Sequence, residues 1–313
     1  MTLERNQVWI YLAAILLGLL LGSVRPDTAS FLELLLWPSL VLLLYATFVQ
    51  VPLLHLGASL RDHRFISAVL LGNFVLVPAL VGLLVQCLPP DPALRLGILL
   101  VLLVPCTDWF ITFTQLGGGS VLRAIAVTPV NLLLQLLLLP VYLWLMAGAE
   151  LAGAFESVEM WSAVAVVVLP LLLAAISERW IEAKREREVV RSSLAWLPVP
   201  LLALVVFLIA GAQASVVLGT LDVLPAVVPL CAFFLVAVAL IAKLLARLFG
   251  LPTDQARTLA FSLGTRNSFV VLPFALALPA GWETAAVVIV VQSLVELFGM
   301  VFYLWWVPRR LFR

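Results

Sequence analysis

Charged residues are scarce in this sequence. Asp, Glu, Lys and Arg together make up 11% of 313 residues, and histidine occurs twice. A folded domain in water needs a far more polar surface, so an ordinary soluble protein is excluded. Cysteine is nearly absent as well. Cys87, Cys106 and Cys231 show no CxxC or other metal-ligand spacing, which argues against a metal site and a disulfide framework. No Ser/His/Asp set and no nucleotide loop is visible, and Gly117-Gly118-Gly119-Ser120 reads as a tight turn before a helix. No enzyme activity, resident metal or cofactor is therefore expected. A net charge of +1 offers nothing to nucleic acid. Arg25-Pro26-Asp27 follows the first apolar run where a cleavable signal would carry small residues.

What fills the chain is hydrocarbon: 64% of the residues are hydrophobic, in continuous rather than alternating runs. Continuous runs of roughly 20 residues predict membrane-spanning helices and disfavour a β-barrel. Ten runs qualify, near 8–24, 31–55, 66–88, 94–116, 121–147, 160–178, 194–212, 223–249, 256–278 and 284–307. With the N-terminus inside, every Lys and Arg except Arg25, Arg95 and Arg266 falls on the cytoplasmic side. The external loops are mainly acidic, so the positive-inside rule places both termini in the cytoplasm. The charged stretch Glu178–Arg191 then forms an interfacial helix or a solvated linker between halves.

Two of these runs are interrupted where they should be deepest in the bilayer. In Val104-Pro105-Cys106-Thr107-Asp108-Trp109, proline removes a backbone donor beside a carboxylate. In Leu263-Gly264-Thr265-Arg266-Asn267-Ser268, a glycine precedes a cation. Charges at that depth cost a few kcal/mol on insertion scales and usually line a cavity or pathway. Asp108, Arg266 and Glu296 are the intramembrane charges. Asp108 and Arg266 either pair at a crossing point, leaving Glu296 as the unpaired carboxylate, or Arg266 contacts solute. Glu296 follows Gln292 by four residues, and Gln135 follows Asn131 by four, so each pair shares a helix face. Such faces could line one cavity, with Thr107 and Thr265 beside the breaks. An unpaired Glu296 would suit a proton carrier; the alternative is a neutral glutamate bonded to a neighbouring helix. Cys87 and Cys231 read as buried fillers. Cys106, beside a break, is either another filler or a soft ligand for a soft solute. Asn73, five residues before Pro78, marks a kink in the third span.

The two halves match each other. An offset of 159 pairs Cys106 with Thr265, Asp108 with Asn267 and Phe110 with Phe269; an offset of 161 pairs Asn131 with Gln292, Gln135 with Glu296, Tyr142 with Tyr303 and Trp144 with Trp305. Five spans is an odd number, so the second copy is inverted. Breaks at corresponding places in inverted repeats point to a transporter's binding site.

Pro105–Gln135 (PCTDWFITFTQLGGGSVLRAIAVTPVNLLLQ), Asp62–Pro78, Ala246–Phe269 and Gln292–Leu297 together resemble the arsenite efflux permease branch of the bile acid/sodium symporter superfamily. The resemblance covers nearly all of the chain. It implies an all-α transmembrane fold of ten spans in two inverted five-helix repeats, residues 1–150 and 151–313. A panel would take spans 1, 2, 6 and 7; a core with crossed, broken helices would take spans 3–5 and 8–10. It implies that Cys106 is the cysteine required for arsenite, that Glu296 is the required glutamate of the last span, and that Asn73 and Asn131 are polar site positions. With Asn267 these would contact the solute. The implied function is a bacterial inner-membrane carrier exporting arsenite or a related trivalent metalloid in exchange for protons. The alternative is an organic-anion transporter of the same fold with Arg266 on a carboxylate or sulfonate, and a membrane sensor or assembly subunit is a third reading. Departures are Asp108, where the branch carries an uncharged residue, and Arg266-Asn267-Ser268-Phe269, where it carries two asparagines and then Phe-Glu. Ser262 and Arg266 stand where sodium-coupled members hold sodium, and a fixed cation there opposes sodium.

Overall fold

The computed structural model describes residues 2–51, 62–107, 109–147, 158–219 and 221–313, and among them it is all helix. The longer elements are α1 (Thr2–Val24), α2 (Ala29–Phe48), α3 (His63–Leu71), α4 (Val77–Val85), α5 (Pro92–Leu102), α6 (Trp109–Leu116) and α7 (Val121–Ala147). The second part of the chain supplies α8 (Val158–Glu182), α9 (Glu188–Leu194), α10 (Pro198–Ala212), α11 (Ala214–Gly219), α12 (Leu224–Leu248), α13 (Thr253–Gly264), α14 (Ser268–Leu276) and α15 (Thr284–Trp306). Seven helices among the described residues are long and apolar enough to cross a membrane: Pro26–Phe48, His63–Val85, Val121–Met146, Trp161–Glu182, Glu188–Ala212, Leu224–Leu248 and Thr284–Leu311. The apolar part of α1, Trp9–Val24, is shorter. The expected fourth and ninth runs each fall into two half-helices, α5 with α6 and α13 with α14, none long enough to span alone.

Local chemistry sets the ends. Asp62 caps α3 by accepting the Phe65 N–H, and Asp91 caps α5 through Ala93 and Leu94, with Pro92 in the first turn where its missing donor costs nothing. The kink expected at Asn73 is a π-turn, Gly72–Leu76, between α3 and α4. Such a turn loosens the backbone ladder and is common at functional sites. Gly118, at φ +69°, makes the turn between α6 and α7 that the glycine run predicts. Pro198 occupies the first turn of α10, where its missing donor costs nothing. Cys231 is buried as expected, whereas Cys87 is exposed near the end of α4 and fills no core.

The helices sort by their packing. In one set α1 and α2 both pack on α10, and α2 packs on α8; in the other α5 packs on α15, and α12 packs on α13 and α15. Close approach in the first set depends on small residues. A Cβ at Gly18 would overlap the Phe207 carbonyl oxygen, and one at Gly22 the Gly211 carbonyl oxygen. Small residues let backbones meet where lipid provides no hydrophobic drive for helices to associate. Gly22→Ala should therefore lower the melting temperature of the detergent-solubilised protein, at a cost of roughly 1–3 kcal/mol. Gly219→Ala, where an added Cβ meets nothing, should leave it unchanged.

Candidate functional site

The two breaks meet. α5 ends at Leu102 and α13 at Gly264, and beyond each end the backbone has carbonyls with no partner in its own helix. In an apolar interior such groups must find partners, since each one left bare costs several kcal/mol. They find them in each other. The Asn267 N–H donates to the Val104 carbonyl at 2.8 Å, and the Cys106 N–H to the Thr265 carbonyl at 3.1 Å. These bonds form an isolated antiparallel bridge, Pro105 opposite Arg266. The prolyl nitrogen falls at a position that needs no donor, so this two-strand contact tolerates the residue that ended the helix. Asn267 reinforces the contact. Its Oδ1 caps α14 at Val270, and its Nδ2 donates to Thr107 Oγ1 at 3.1 Å.

Arg266 is wholly buried. Its Nη1 donates to the Leu102 carbonyl at 3.3 Å, and its Nη2 to Leu263 O at 2.6 Å, Ser262 O at 3.2 Å and Asn73 Oδ1 at 2.9 Å. The guanidinium thus lies where the carbonyl ends of α5 and α13 converge, each carrying the negative end of a helix dipole. Its carbon is 5.6 Å from the centre of the Phe234 ring. Asn73 is held in turn, its Nδ2 donating to Ser262 Oγ at 3.1 Å. The expected partner Asp108 lies outside the described residues.

Glu296, on α15, is not the unpaired carboxylate that the sequence suggests. Its Oε2 accepts the Arg266 backbone N–H at 2.9 Å and Gln292 Nε2 at 2.8 Å, and its charge acts on the Arg266 guanidinium. The break exposes a backbone donor, and the carboxylate caps it. A string of short polar contacts continues outward: Ser268 Oγ to Gln292 Oε1 at 3.2 Å, then Ser293 Oγ to Ser268 Oγ at 2.8 Å.

A sequence model of the Sodium Bile acid symporter family matches residues 37–220, more than half of the chain. The chain belongs to this family. It is a multi-pass membrane protein of a family whose members are transporters. No curated protein matches the chain. The family match stops before α12, so Arg266 and Glu296 both lie beyond it.

In this family member, the residues singled out from sequence divide into those already engaged and those that are not. Asn73, Asn267, Arg266, Gln292, Glu296 and Thr107 are bonded to one another or to the crossing backbone, and Thr265 Oγ1 is bonded to the Phe261 carbonyl. Cys106 is buried in the crossing itself. Asn131 and Gln135 are equally buried on α7, yet their amide atoms find no hydrogen-bond partner among the described residues. Ser262, at a position where sodium-coupled members hold sodium, joins the site through Asn73, and Ser268 and Ser293 join it without any motif to mark them beyond a place among apolar neighbours. Ser293 also lines a small pocket with Tyr11, Trp109 and Phe269, between α1 and α10 on one side and α6, α14 and α15 on the other. Its volume of 10 Å³ is about that of one water probe.

Replacing Arg266 should be severe because several buried acceptors lose their donor together. Arg266→Met is expected to cost on the order of 3–5 kcal/mol, read as a fall in melting temperature in detergent. Arg266→Lys should recover only part of it, since an ammonium cannot reproduce the planar fork.

Proposed function

We propose that the protein is a secondary active transporter that exports arsenite, or a similar trivalent metalloid, in exchange for protons. The observation that carries this reading is the position of Cys106: a thiol held in the backbone crossing of two broken helices, in a member of a transporter family. Half-helices that end at a shared point near the middle of a membrane are the usual framework of a carrier site. A thiol is a soft ligand and suits a soft, uncharged metalloid hydroxide. Asn131 and Gln135 are buried amides with hydrogen-bonding capacity to spare among the described residues, and they would take the solute hydroxyls. Asn73 and Asn267 act mainly in holding the crossing, and Thr107, Thr265 and Gln292 complete its walls.

Arg266 occupies the place of a coupling cation, so sodium has no role. Glu296 exchanges the proton: protonation turns a charge-assisted bond to the Arg266 N–H into a weaker neutral one and loosens the crossing. Asp108 either adds a counter-charge to Arg266 or faces solute. The alternative organic-anion transporter would need a free guanidinium, and four acceptors already occupy Nη1 and Nη2 of Arg266, with Nε alone unpartnered among the described residues. A sensor or assembly role would leave the orphaned amides without a purpose.

Ten spans, both termini in the cytoplasm of a bacterial inner membrane, and two inverted repeats at 1–150 and 151–313 complete the proposal. A symmetric pair of contacts supports the repeats. Tyr142 donates to the Phe74 carbonyl and Tyr303 to the Leu235 carbonyl, donors and acceptors both offset by 161 residues. The two packing sets of helices support a panel of spans 1, 2, 6 and 7 moving against a core of spans 3–5 and 8–10.

Everted membrane vesicles test the function. Arsenite uptake should rise with an imposed pH gradient, and Cys106→Ala should reduce it at least tenfold. Glu296→Gln should abolish its dependence on the gradient. Uptake of carboxylates that ignores Cys106→Ala and vanishes with Arg266→Ala would favour the alternative instead.

A further inference from the structure

Away from the crossing, one cavity carries a distinct chemistry. It has a volume of 470 Å³ and lies where α12 ends, α13 begins and the chain closes in the turn Val307–Leu311. Lys243, Arg247, Arg310 and Arg313 line it, and no acidic side chain does. None of the four is ion-paired among the described residues. Lys243 and Arg247 stand one helical turn apart on α12, so their charges are neighbours. Gathering four cations around one hollow is unfavourable unless an anion fills it.

Two further observations specify that anion. Thr253, the first residue of α13, lines the cavity, and α13 has no side-chain cap; its N-cap is Pro252. The open N–H groups of a helix start favour a phosphate-like oxyanion. Gly250, at φ +59°, makes the turn that brings this helix start back beside the end of α12. Next to the basic pair, Leu240, Leu244 and Leu248 form a stripe on α12 that is exposed by half or more and so faces lipid. A ligand with an anionic head and acyl chains matches a basic hollow bordered by an apolar stripe.

We propose that this hollow binds the phosphate headgroup of an anionic membrane phospholipid, with the acyl chains lying along the leucine stripe of α12. The basic side chains neutralise the head, Thr253 and the first turn of α13 bond its oxygens, and the lipid joins α12, α13 and the C-terminal turn. Arg257 already ties that turn to α13 by donating to the Phe312 carbonyl. Lipid occupancy would therefore stiffen the start of α13, the half-helix whose other end leads into the break at Arg266.

The test is a thermal-shift titration of the full chain in neutral detergent with phosphatidylglycerol, phosphatidylcholine or inorganic phosphate, alongside native mass spectrometry of retained lipid. Phosphatidylglycerol should raise the melting temperature saturably, and phosphatidylcholine should not. In a Lys243→Gln/Arg247→Gln/Arg310→Gln variant its apparent affinity should fall on the order of a hundredfold. The single variant Arg310→Gln gives a smaller fall should the triple variant not fold. Lys184→Gln/Arg187→Gln, outside the hollow, should bind as the parent does. Equal binding by the triple variant, or loss of binding in the Lys184/Arg187 control, would overturn the proposal. So would inorganic phosphate that stabilises as strongly and displaces the lipid, because the site would then belong to a soluble anion.

Discussion

Backbone polar groups cannot be left bare in hydrocarbon, and this chain breaks two helices in the middle of apolar runs. Everything at the centre of the molecule follows from how those breaks are repaired. A single antiparallel bridge between Pro105 and Arg266 supplies partners across the gap. Arg266 then gathers carbonyls from the ends of both half-helices, and Glu296 closes the donor that the second break exposes. The cation and the carboxylate are both parts of the repair. Each is costly in a membrane when alone, and together they stabilise a backbone that could not otherwise exist there.

This arrangement also explains why the centre could move. A continuous helix is held by its own ladder and has one stable form. Here two half-helices share a few side-chain and backbone bonds, and several of these pass through groups that can change charge or hydrogen-bonding partner. Gln292, Ser268 and Ser293 lead from Glu296 toward the small pocket between the two sets of helices. Protonating one carboxylate would alter a cap, a cation and that string together. A bistable element with a local electrostatic trigger is what alternating access requires.

Much of this was legible in the sequence, for physical reasons. Proline at 105, glycine at 264 and charges in apolar runs mark breaks, because each is unfavourable in a plain spanning helix. The offset of 161 that pairs Tyr142 with Tyr303 recurs in their acceptors, Phe74 and Leu235. What could not be read was the choice of partner. Arg266 looked destined for a carboxylate, but most of its acceptors are main-chain carbonyls, which no residue letter displays. Glu296 looked unpaired because its partners are a backbone N–H and a side chain on its own helix. Asn73, expected at the solute, also serves the guanidinium. Polar side chains identify a site, whereas their allocation depends on which carbonyls the folded backbone leaves free.

Cross-linking measures the crossing directly. In a chain with Cys87 and Cys231 replaced by serine, Thr265→Cys puts a second thiol opposite Cys106 on the antiparallel bridge, at a Cα separation of about 5.5 Å that a disulfide can span. Mild oxidation of native membranes, followed by mass spectrometry, should recover a peptide joined between Cys106 and the new thiol at position 265. A thiol introduced at Leu276, at the far end of α14, should give no such product. Failure of the pair at 106 and 265 to join, in protein that is folded and retained in the membrane, would contradict the crossing on which this account depends.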